Sequence, residues 1–511
     1  MRSIKNILGK LNPRSFAHKP IPNFESITSI NQIPEIFEWV FNPDIKIAQD
    51  CAHAIHRLIT TQTTFQNKSL YASLSYIQIK QEDFTWFNNF ELDIQKSLMC
   101  VASMNGDGYI REHALKFLIQ HPTQKTFLFV LFRLTDWVSA IRQAAEVSIN
   151  QMVQAIDPLF LIKHHKIIEW LLKVQRADLR GIHKDIIELI FAEVNIDQIT
   201  QNVEAYEEKE RYFIFKNLIT RHTIDGQLLE KGLNDKSYLI RLLVVRNMAI
   251  KKHPDVLKKM LSDRNQKIRH YAISHIAEEQ LRQFQTNLDY LLFDNSASIR
   301  SIARRLLSKI CDIDYPQRYR TEILKKIAPG NIIGLAEVGD KTDLHRFTSL
   351  LQSNYPKHRT AGLLAISILD YEMAKEEAFK LLNDSSNTVK KACLSIITKM
   401  KLASDLPKMR NIYDQGTSST KRFVLKAISR YGGWGIAGDF LKGIQESDVQ
   451  LKKTACSFLE TWYSYSIRLG AKQPEHDARY VMDIYKNLDL LDVPENIKKI
   501  IDNIPFIFGE N

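Results

Sequence analysis

A short motif recurs along this chain of 511 residues at a nearly constant interval, and it limits the possible folds more than any other feature. In one copy, Asp384 is followed five positions later by Val389, then by Lys390, and three positions further by Cys393. The last four copies begin 31 residues apart, at Ser353, Asp384, Gln415 and Glu446. Two helices of about a dozen residues and two turns fill such an interval. The repeat therefore predicts a series of helical hairpins.

The second helix of each predicted hairpin carries an apolar stripe that a single hairpin leaves exposed. Ile299, Ala303 and Leu307 are spaced four residues apart and lie on one face of a helix. Burying such a stripe against the next hairpin contributes roughly 1.5–3 kcal/mol per fully buried Leu or Ile. The sequence therefore predicts an all-α fold, a right-handed α-α superhelix in which the hairpins stack as a solenoid.

One position of the motif is basic in every copy that can be aligned. Its members are Arg111, Arg142, Arg241, Arg269, Arg300, Arg359, Lys390, Lys421 and Lys452. A ladder of cations could bind phosphate groups. Pairing with the Asp of the same or the adjacent turn would instead link successive hairpins. Where the turn residue is Asp, we expect this structural pairing.

The C-terminal copies carry a second basic residue directly after the first. Lys391, Arg422 and Lys453 recur at the same interval of 31 residues, with Lys426 and Arg430 nearby. The N-terminal copies have Glu112 and Gln143 at this position. Stacked hairpins would align the basic residues on the face formed by the second helices. This face is predicted either to dock an acidic protein segment or nucleic acid, or to be an ordinary solvated helix face.

Residues 333–351 and 357–361 resemble the HEAT repeat, particularly the HEAT-like type found in phycobilisome lyases. A helix there ends in Gly339-Asp340, a short helix ends in Leu350-Leu351, and a turn leads to Arg359, with His358 where the family has an aliphatic residue. The resemblance covers about residues 100–460 and is blurred between 150 and 234. It implies a helical solenoid but little about function, because the family includes scaffolds, transport adaptors, lyases and DNA-binding proteins.

The repeats divide the chain into four predicted parts. These are a basic N-terminal segment (1–33), irregular helical hairpins (34–100), the HEAT-like solenoid (101–460, degenerate at 150–234) and a helical C-terminal cap (461–511). Residues 1–24 contain no acidic residue. Their apolar residues have helical spacing, which is compatible with a membrane-surface contact through residues 1–12 or an organellar targeting peptide. Three prolines shorten this helix, so we favour a cap on the end of the solenoid.

Several other patterns point to no specific chemistry. Five widely spaced cysteines without a CxxC pair favour a reducing compartment, and we predict a cytoplasmic protein. Cys51, His53 and His56 could be drawn as metal ligands, but Cys51 occupies the small-residue position of its repeat. The glycines of residues 433–438 match GxGxxG by letter only, since no strand precedes them. We therefore predict no cofactor, metal or small-molecule substrate.

The sequence leaves three functions open. We predict a non-enzymatic scaffold that binds a protein partner with an acidic segment along the face of the second helices. A nucleic-acid-binding protein is the main alternative, because 70 Lys and Arg against 58 Asp and Glu give a net charge of +12. An enzyme comes third: Asp136, Trp137 and Trp170 resemble the site of HEAT-like DNA glycosylases, and a lyase is suggested by fold analogy alone.

Overall fold

All regular elements in the described part of the chain are helical. The computed structural model describes residues 16, 19–61, 67–221, 226–466, 473–489 and 493–509, and these form two compact units, the first ending at Ala249 and the second beginning at Ile250. The predicted all-α class is confirmed. The basic helix predicted in residues 1–12 lies outside the described residues. The unit boundary falls inside the segment expected to be one solenoid, and the four-part division stays a prediction.

The first unit is built from short helices that pack as antiparallel pairs. They are α1 (Ile33–Ile36), α2 (Ile45–Thr61), α3 (Asn67–Leu74), α4 (Asp83–Phe87), α5 (Leu92–Ala102), α6 (Gly108–Gln120), α7 (Gln124–Arg133), α8 (Ser139–Met152), α9 (Pro158–Lys163), α10 (His165–Leu171), α11 (Arg180–Ile190), α12 (Glu193–Asn202), α13 (Glu208–Arg221), α14 (Gly226–Asn234) and α15 (Tyr238–Asn247).

The second unit continues the pattern with more regular hairpins. They are formed by α16 (Pro254–Leu261), α17 (Gln266–Ile273), α18 (Gln285–Leu291), α19 (Ala297–Leu307), α20 (Tyr315–Lys325), α21 (Pro329–Val338), α22 (Leu344–Leu350), α23 (Pro356–Leu369), α24 (Tyr371–Lys380), α25 (Asn387–Ile397), α26 (Asp405–Gln415), α27 (Ser418–Ile428), α28 (Ile436–Ile444), α29 (Val449–Ser466), α30 (Glu475–Tyr485), α31 (Glu495–Asp502) and α32 (Ile504–Phe508).

Hairpins of the second unit are HEAT-like, because the second helix of each one packs against the second helix of the next. Helices α23, α25, α27 and α29 contact one another in this order, and each also packs on the first helix of its own hairpin. The predicted stripe on α19 is fully buried, with Ile299, Ala303 and Leu307 all inaccessible to solvent. Stacking thus buries the apolar stripe that a single hairpin would leave exposed.

The blurred part of the repeat is helical but more broken than the sequence pattern indicates. Residues 199–221 have continuous helical spacing, yet the structure divides them between α12 and α13 with an extended Tyr206 in between. The following residues are mostly charged and contain no Gly, Pro or Asp that would mark a turn. Their strong helix propensity therefore hid the turn.

Candidate functional site

The basic residue that recurs in each copy of the motif can link two successive turns. In α23, the Arg359 guanidinium donates from Nε and Nη2 to the two carboxylate oxygens of Asp384 at 2.6 and 2.7 Å. Its third nitrogen, Nη1, donates to the carbonyl oxygen of Ser353, in the turn that precedes α23, at 2.6 Å. The guanidinium thus fixes its own turn and the next one at the same time. We call this arrangement a rung.

The same bidentate rung recurs in both units. It joins Arg111 to Asp136, Arg211 to Asp235 and Arg269 to Asp294, with nitrogen to oxygen distances of 2.6–3.1 Å. In all three, Nη1 also donates to a carbonyl of the preceding turn. The Arg211 rung lies in the blurred segment, and the alignment of the sequence missed it because no acidic turn residue stands at the usual distance before Arg211.

Other members of the ladder contact turn carbonyls or acidic side chains. Arg142 and Arg241 donate to carbonyls of their own turns. Arg300 pairs with Glu337, which also binds Arg304. Lys421 pairs with Glu446 at 2.7 Å, and Lys452 is half-buried beside a groove between α29 and α31.

First helices carry a second series of ion pairs that the motif does not reveal. The buried Lys375 ammonium in α24 lies 2.8 Å from the Asp405 carboxylate at the start of α26. Arg410 in α26 donates twice to Asp439 in α28 at 2.9 Å, and its guanidinium stacks on the Tyr480 ring. Consecutive hairpins are therefore tied together on both helix layers.

Asp136 has a structural role rather than a free carboxylate. Arg111 donates to both of its oxygens, Arg133 donates to Oδ2, and the Val138 amide donates to Oδ1. These bonds use all four acceptor positions of the carboxylate. Burial opposes ionisation of Asp136, but the two guanidiniums outweigh it and hold its pKa below the usual value.

The two tryptophans considered with Asp136 pack against other side chains. Trp137 is 67% exposed and stacks on the Arg176 guanidinium at 3.4 Å from the ring centre. Trp170 stacks on the Phe132 ring at 5.4 Å. Because the carboxylate is saturated, this set has no base that could activate water.

Acid should weaken the rungs selectively. Burial raises the pKa of Asp384, but hydrogen bonds from Arg359 and from the Ser386 amide outweigh it, so the pKa lies below the usual value. The rung therefore contributes stability above the unfolded-state pKa of about 3.9, and this contribution is lost as the pH falls through the lowered folded-state pKa. We expect Asp384→Asn to lower the melting temperature (Tm) at pH 7, and the gap to wild type to narrow as the pH falls below the unfolded-state pKa of about 3.9.

Differential scanning fluorimetry from pH 7 to pH 2.5 measures this gap. Glu377→Gln is the matched control, because Glu377 makes only a surface pair with Lys380. Its Tm should follow that of the wild type at every pH. A gap for Asp384→Asn that stays constant down to pH 2.5 would contradict the role assigned to the carboxylate.

The second basic residues of the C-terminal hairpins lie on one continuous surface. We define the basic stripe as the side chains of Lys391 on α25, Lys399 in the turn after α25, Arg422 and Lys426 on α27, Arg430 in the turn after α27, and Lys453 on α29. Arg422 is half-buried and the other five are exposed. Lys399, which was not among the residues singled out from the sequence, follows Lys391 by eight residues.

Two contacts fix the register of α25 and α27. At their N-terminal ends, Ser419 donates to Asn387 Oδ1 at 3.4 Å. At the other end, Arg430 Nη1 donates to Thr398 Oγ1 at 3.0 Å. Residues 32 apart therefore lie side by side on the two hairpins, which brings Lys391 close to Arg422.

The basic stripe has no acidic counterpart. Among the described residues, no carboxylate forms an ion pair with any of its six cations. Four positions taken at every fourth residue from each of 387, 418 and 449 hold six basic residues, five Ser, Thr or Asn residues, one valine and no acid. The positive charge of this face is thus not compensated by ion pairs within the described part of the chain.

First helices of the same hairpins show the opposite arrangement. Lys380 pairs with Glu377, Lys408 with Glu376 and Lys442 with Asp414, at 2.7–3.4 Å. Paired charges of both signs are typical of a solvated surface. The two sides of these hairpins therefore differ in electrostatic character, although both carry many lysines.

Residues of the other candidate sites make structural contacts. The Cys51 thiol is buried and donates to the Ile36 carbonyl, and His56 hydrogen-bonds Ser97. The described residues contain no group of three or more His, Cys, Asp or Glu placed to hold a metal ion. Gly432 and Gly433 have positive φ angles in the turn before α28, and no strand precedes them.

In the described part of the chain, no helix combines the length and the apolar character that crossing a bilayer requires.

Fold and surface together define a helical-repeat protein of HEAT-like hairpins with a basic face whose cations form no ion pair with any described residue. No protein-family model matches the sequence, and no curated protein matches it. Solved structures with similar folds include yeast importin-β (Kap95p), at 11% identity and a TM-score of 0.30 over 94% of this chain and 67% of that chain. Kap95p in its complex with RanGDP is similar at 11% identity and a TM-score of 0.33, over 94% of this chain and 66% of that chain.

The Cnd3–Cnd2 condensin subcomplex of S. pombe is similar at 14% identity and a TM-score of 0.32, over 100% of this chain and 82% of that chain. This chain spans about two thirds of the length of Kap95p. With such low identities and TM-scores, what those proteins bind is no guide to the partners of this chain.

Proposed function

We propose that this protein is a non-enzymatic scaffold whose basic stripe binds an acidic segment of a protein partner. The observation that carries the proposal is the stripe itself, six cations on three adjoining second helices and on the turns that follow two of them, without an acidic partner in the described residues. A surface of one sign attracts a segment of the opposite sign and orients it during association.

The stripe fits a segment that crosses the three helices. Packed helices lie about 8–10 Å apart, and an extended chain advances about 3.3 Å per residue. A crossing segment therefore meets a new helix at about every third residue. Lys391, Arg422 and Lys453 form the first row that it would meet, and Lys426 and Arg430 deepen the positive surface beside them.

Exposed apolar side chains at the ends of the stripe favour a protein over nucleic acid. Val449 on α29 is 62% exposed, and Ile368, which precedes Lys399 by one repeat on α23, is 49% exposed. A phosphodiester backbone offers nothing apolar to cover them, whereas a peptide with an apolar residue beyond its acidic ones does. Nucleic acid is therefore the competing outcome of the experiment.

A charge-reversal experiment tests the proposal. The probe is a fluorescein-labelled peptide of about twelve residues with Glu at every third position, Ser between them and Leu at one end. Fluorescence anisotropy should show binding that weakens as salt rises. The variant Lys391→Glu, Arg422→Glu, Lys453→Glu should weaken binding at least about tenfold, or about 1.4 kcal/mol.

The opposite face of the same hairpins provides a matched control. Lys380→Glu, Lys408→Glu, Lys442→Glu changes the net charge equally, and it disrupts only surface pairs that contribute little to stability. Its affinity should stay near that of the wild type. Equal losses in both variants would refute a specific stripe.

A DNA duplex of about 20 base pairs, measured in parallel, decides between the two partner classes. Tighter binding of the duplex than of the peptide, abolished by the stripe variant and steeply dependent on salt, would replace the protein partner by nucleic acid.

A further inference from the structure

One rung of the ladder lacks its acid. Arg359 and Lys421 pair with Asp384 and Glu446, each 25 residues further along the chain. The equivalent position for Lys390, between them, is Gln415. The Gln415 side chain is exposed and donates to Asn411 at 3.1 Å, so it does not reach Lys390.

The Lys390 ammonium is nevertheless buried. The residue is only 3% exposed, and no carboxylate of the described residues forms an ion pair with it. Its polar contact is a hydrogen bond to Ser419 Oγ at 3.0 Å, and it lies 5.9 Å from the centre of the Phe423 ring. A buried cation normally has an anionic partner. Burial lowers the pKa of Lys390, and the attraction of the nearby Asp384 carboxylate, which is hydrogen-bonded to Arg359 and not to Lys390, offsets this only in part.

The hydroxyl that meets this ammonium lies where an anion would be stabilised. Ser419 is half-exposed in the first turn of α27. This helix of eleven residues begins at Ser418 and is capped at its N-terminus by Thr417. Arg422 follows one turn later on the same helix. Backbone amides of a first turn and a neighbouring guanidinium both favour negative charge. The chain therefore provides every part of an ion-paired rung except the acid.

We propose that Ser419 is a phosphorylation site whose phosphate completes the rung with Lys390. A protein kinase would transfer the γ-phosphoryl group of ATP to Ser419 Oγ. The new Oγ–P bond replaces the bond from the γ-phosphorus to the bridging oxygen, ADP leaves, and the hydroxyl proton passes to the base of the kinase. The phosphate then accepts from the Lys390 ammonium and strengthens the link between α25 and α27.

Installing phosphoserine at position 419 during translation of the full chain tests the proposal directly. We expect the Tm to rise by about 2–4 °C relative to the unmodified protein, as is typical for one added charge-assisted contact. In the Lys390→Met background the rise should disappear. No rise, or an equal rise in both backgrounds, would overturn the proposed rung.

Phosphoserine at position 418 is the matched control. It adds the same charge to the same helical turn but starts from a hydroxyl that does not contact Lys390. Its rise in Tm should be clearly smaller than that of position 419 and should not change in the Lys390→Met background. A rise equal to that of position 419 would mean that any negative charge at the start of α27 stabilises the helix, and would overturn the proposed rung.

Two further measurements distinguish covalent phosphorylation from binding of a free phosphate ion. The unmodified protein should have the same Tm in phosphate and in chloride buffers of equal ionic strength. A rise in phosphate that Lys390→Met abolishes would replace covalent modification by a bound free anion. Phosphopeptide mapping of the protein purified from its native cells should find phosphate on Ser419, and its absence there would refute the modification.

Discussion

Asp136→Asn is expected to destabilise the first unit by about 3–5 kcal/mol, the usual cost of removing one partner from a buried ion pair. The side chains of Arg111 and Arg133 are 4% and 3% exposed, so neither guanidinium can turn to water for compensation. The amide oxygen of Asn accepts from one of them, but its NH₂ group meets the other donor. The structure would then hold two buried cations without an anion.

Thermal and urea unfolding of the full chain measure the effect, which should appear as a lower-melting transition. Glu112→Gln is the control, since Glu112 forms an exposed pair with Lys116 on the same part of the chain and should change stability by less than about 0.5 kcal/mol. A Tm for Asp136→Asn close to that of Glu112→Gln would contradict the buried cluster.

Replacing Arg111, Arg133 and Asp136 together by apolar residues separates the cost of an unpaired buried charge from the contribution of side-chain packing. Arg111→Met, Arg133→Met, Asp136→Leu removes the charges together and should recover a large part of the loss, because apolar residues of similar volume often substitute for buried ion pairs without cost.

The fold was predictable from the sequence because each repeat states the same physical requirement. An apolar stripe at a spacing of four residues, such as that of Ile299, Ala303 and Leu307, can be buried only by a neighbouring helix. The requirement recurs at a constant interval, so one copy reinforces the next. Where charged residues of high helix propensity replace the turn signal, as they do just after Tyr206, the boundary was lost although the helices were recognised.

Partners of the cations were harder to predict than the cations themselves. The basic position of the motif was identified, but whether its Arg reaches its own turn or the next depends on the distance between stacked hairpins. The first-helix pairs, such as Lys375 with Asp405, have no fixed position in the motif and were missed. Similarly, a serine gives no sequence signal that it lies 3.0 Å from a buried ammonium.

The sequence pattern also did not reveal where the backbones of neighbouring elements approach each other closely. A methyl group added at Gly330 in α21 would lie 2.0 Å from the carbonyl oxygen of Phe293, in the turn before α19. In the sequence, Gly330 follows Pro329 and would be interpreted as part of a turn. Its actual role is to admit a neighbouring backbone, which depends on three-dimensional packing.

Ala303→Glu should have the largest effect of any single change considered, a destabilisation of more than about 4 kcal/mol. Ala303 is fully buried in α19, which packs on α18 of its own hairpin and on α17 and α21 of the neighbouring hairpins. A glutamate there must either bury a carboxyl group without a partner or force these helices apart. Because stacking on neighbours stabilises each hairpin, the damage should spread beyond α19.

Ser301→Glu separates this effect from a general effect of charge on α19. Ser301 lies two residues earlier on the exposed side of the same helix, so its replacement should leave stability within about 0.5 kcal/mol of the wild type. Hydrogen exchange should show faster exchange in α17 through α21 for Ala303→Glu alone. Equal melting temperatures for the two variants would mean that the face of α19 assigned to the core is wrong, and with it the frame in which every hairpin was aligned.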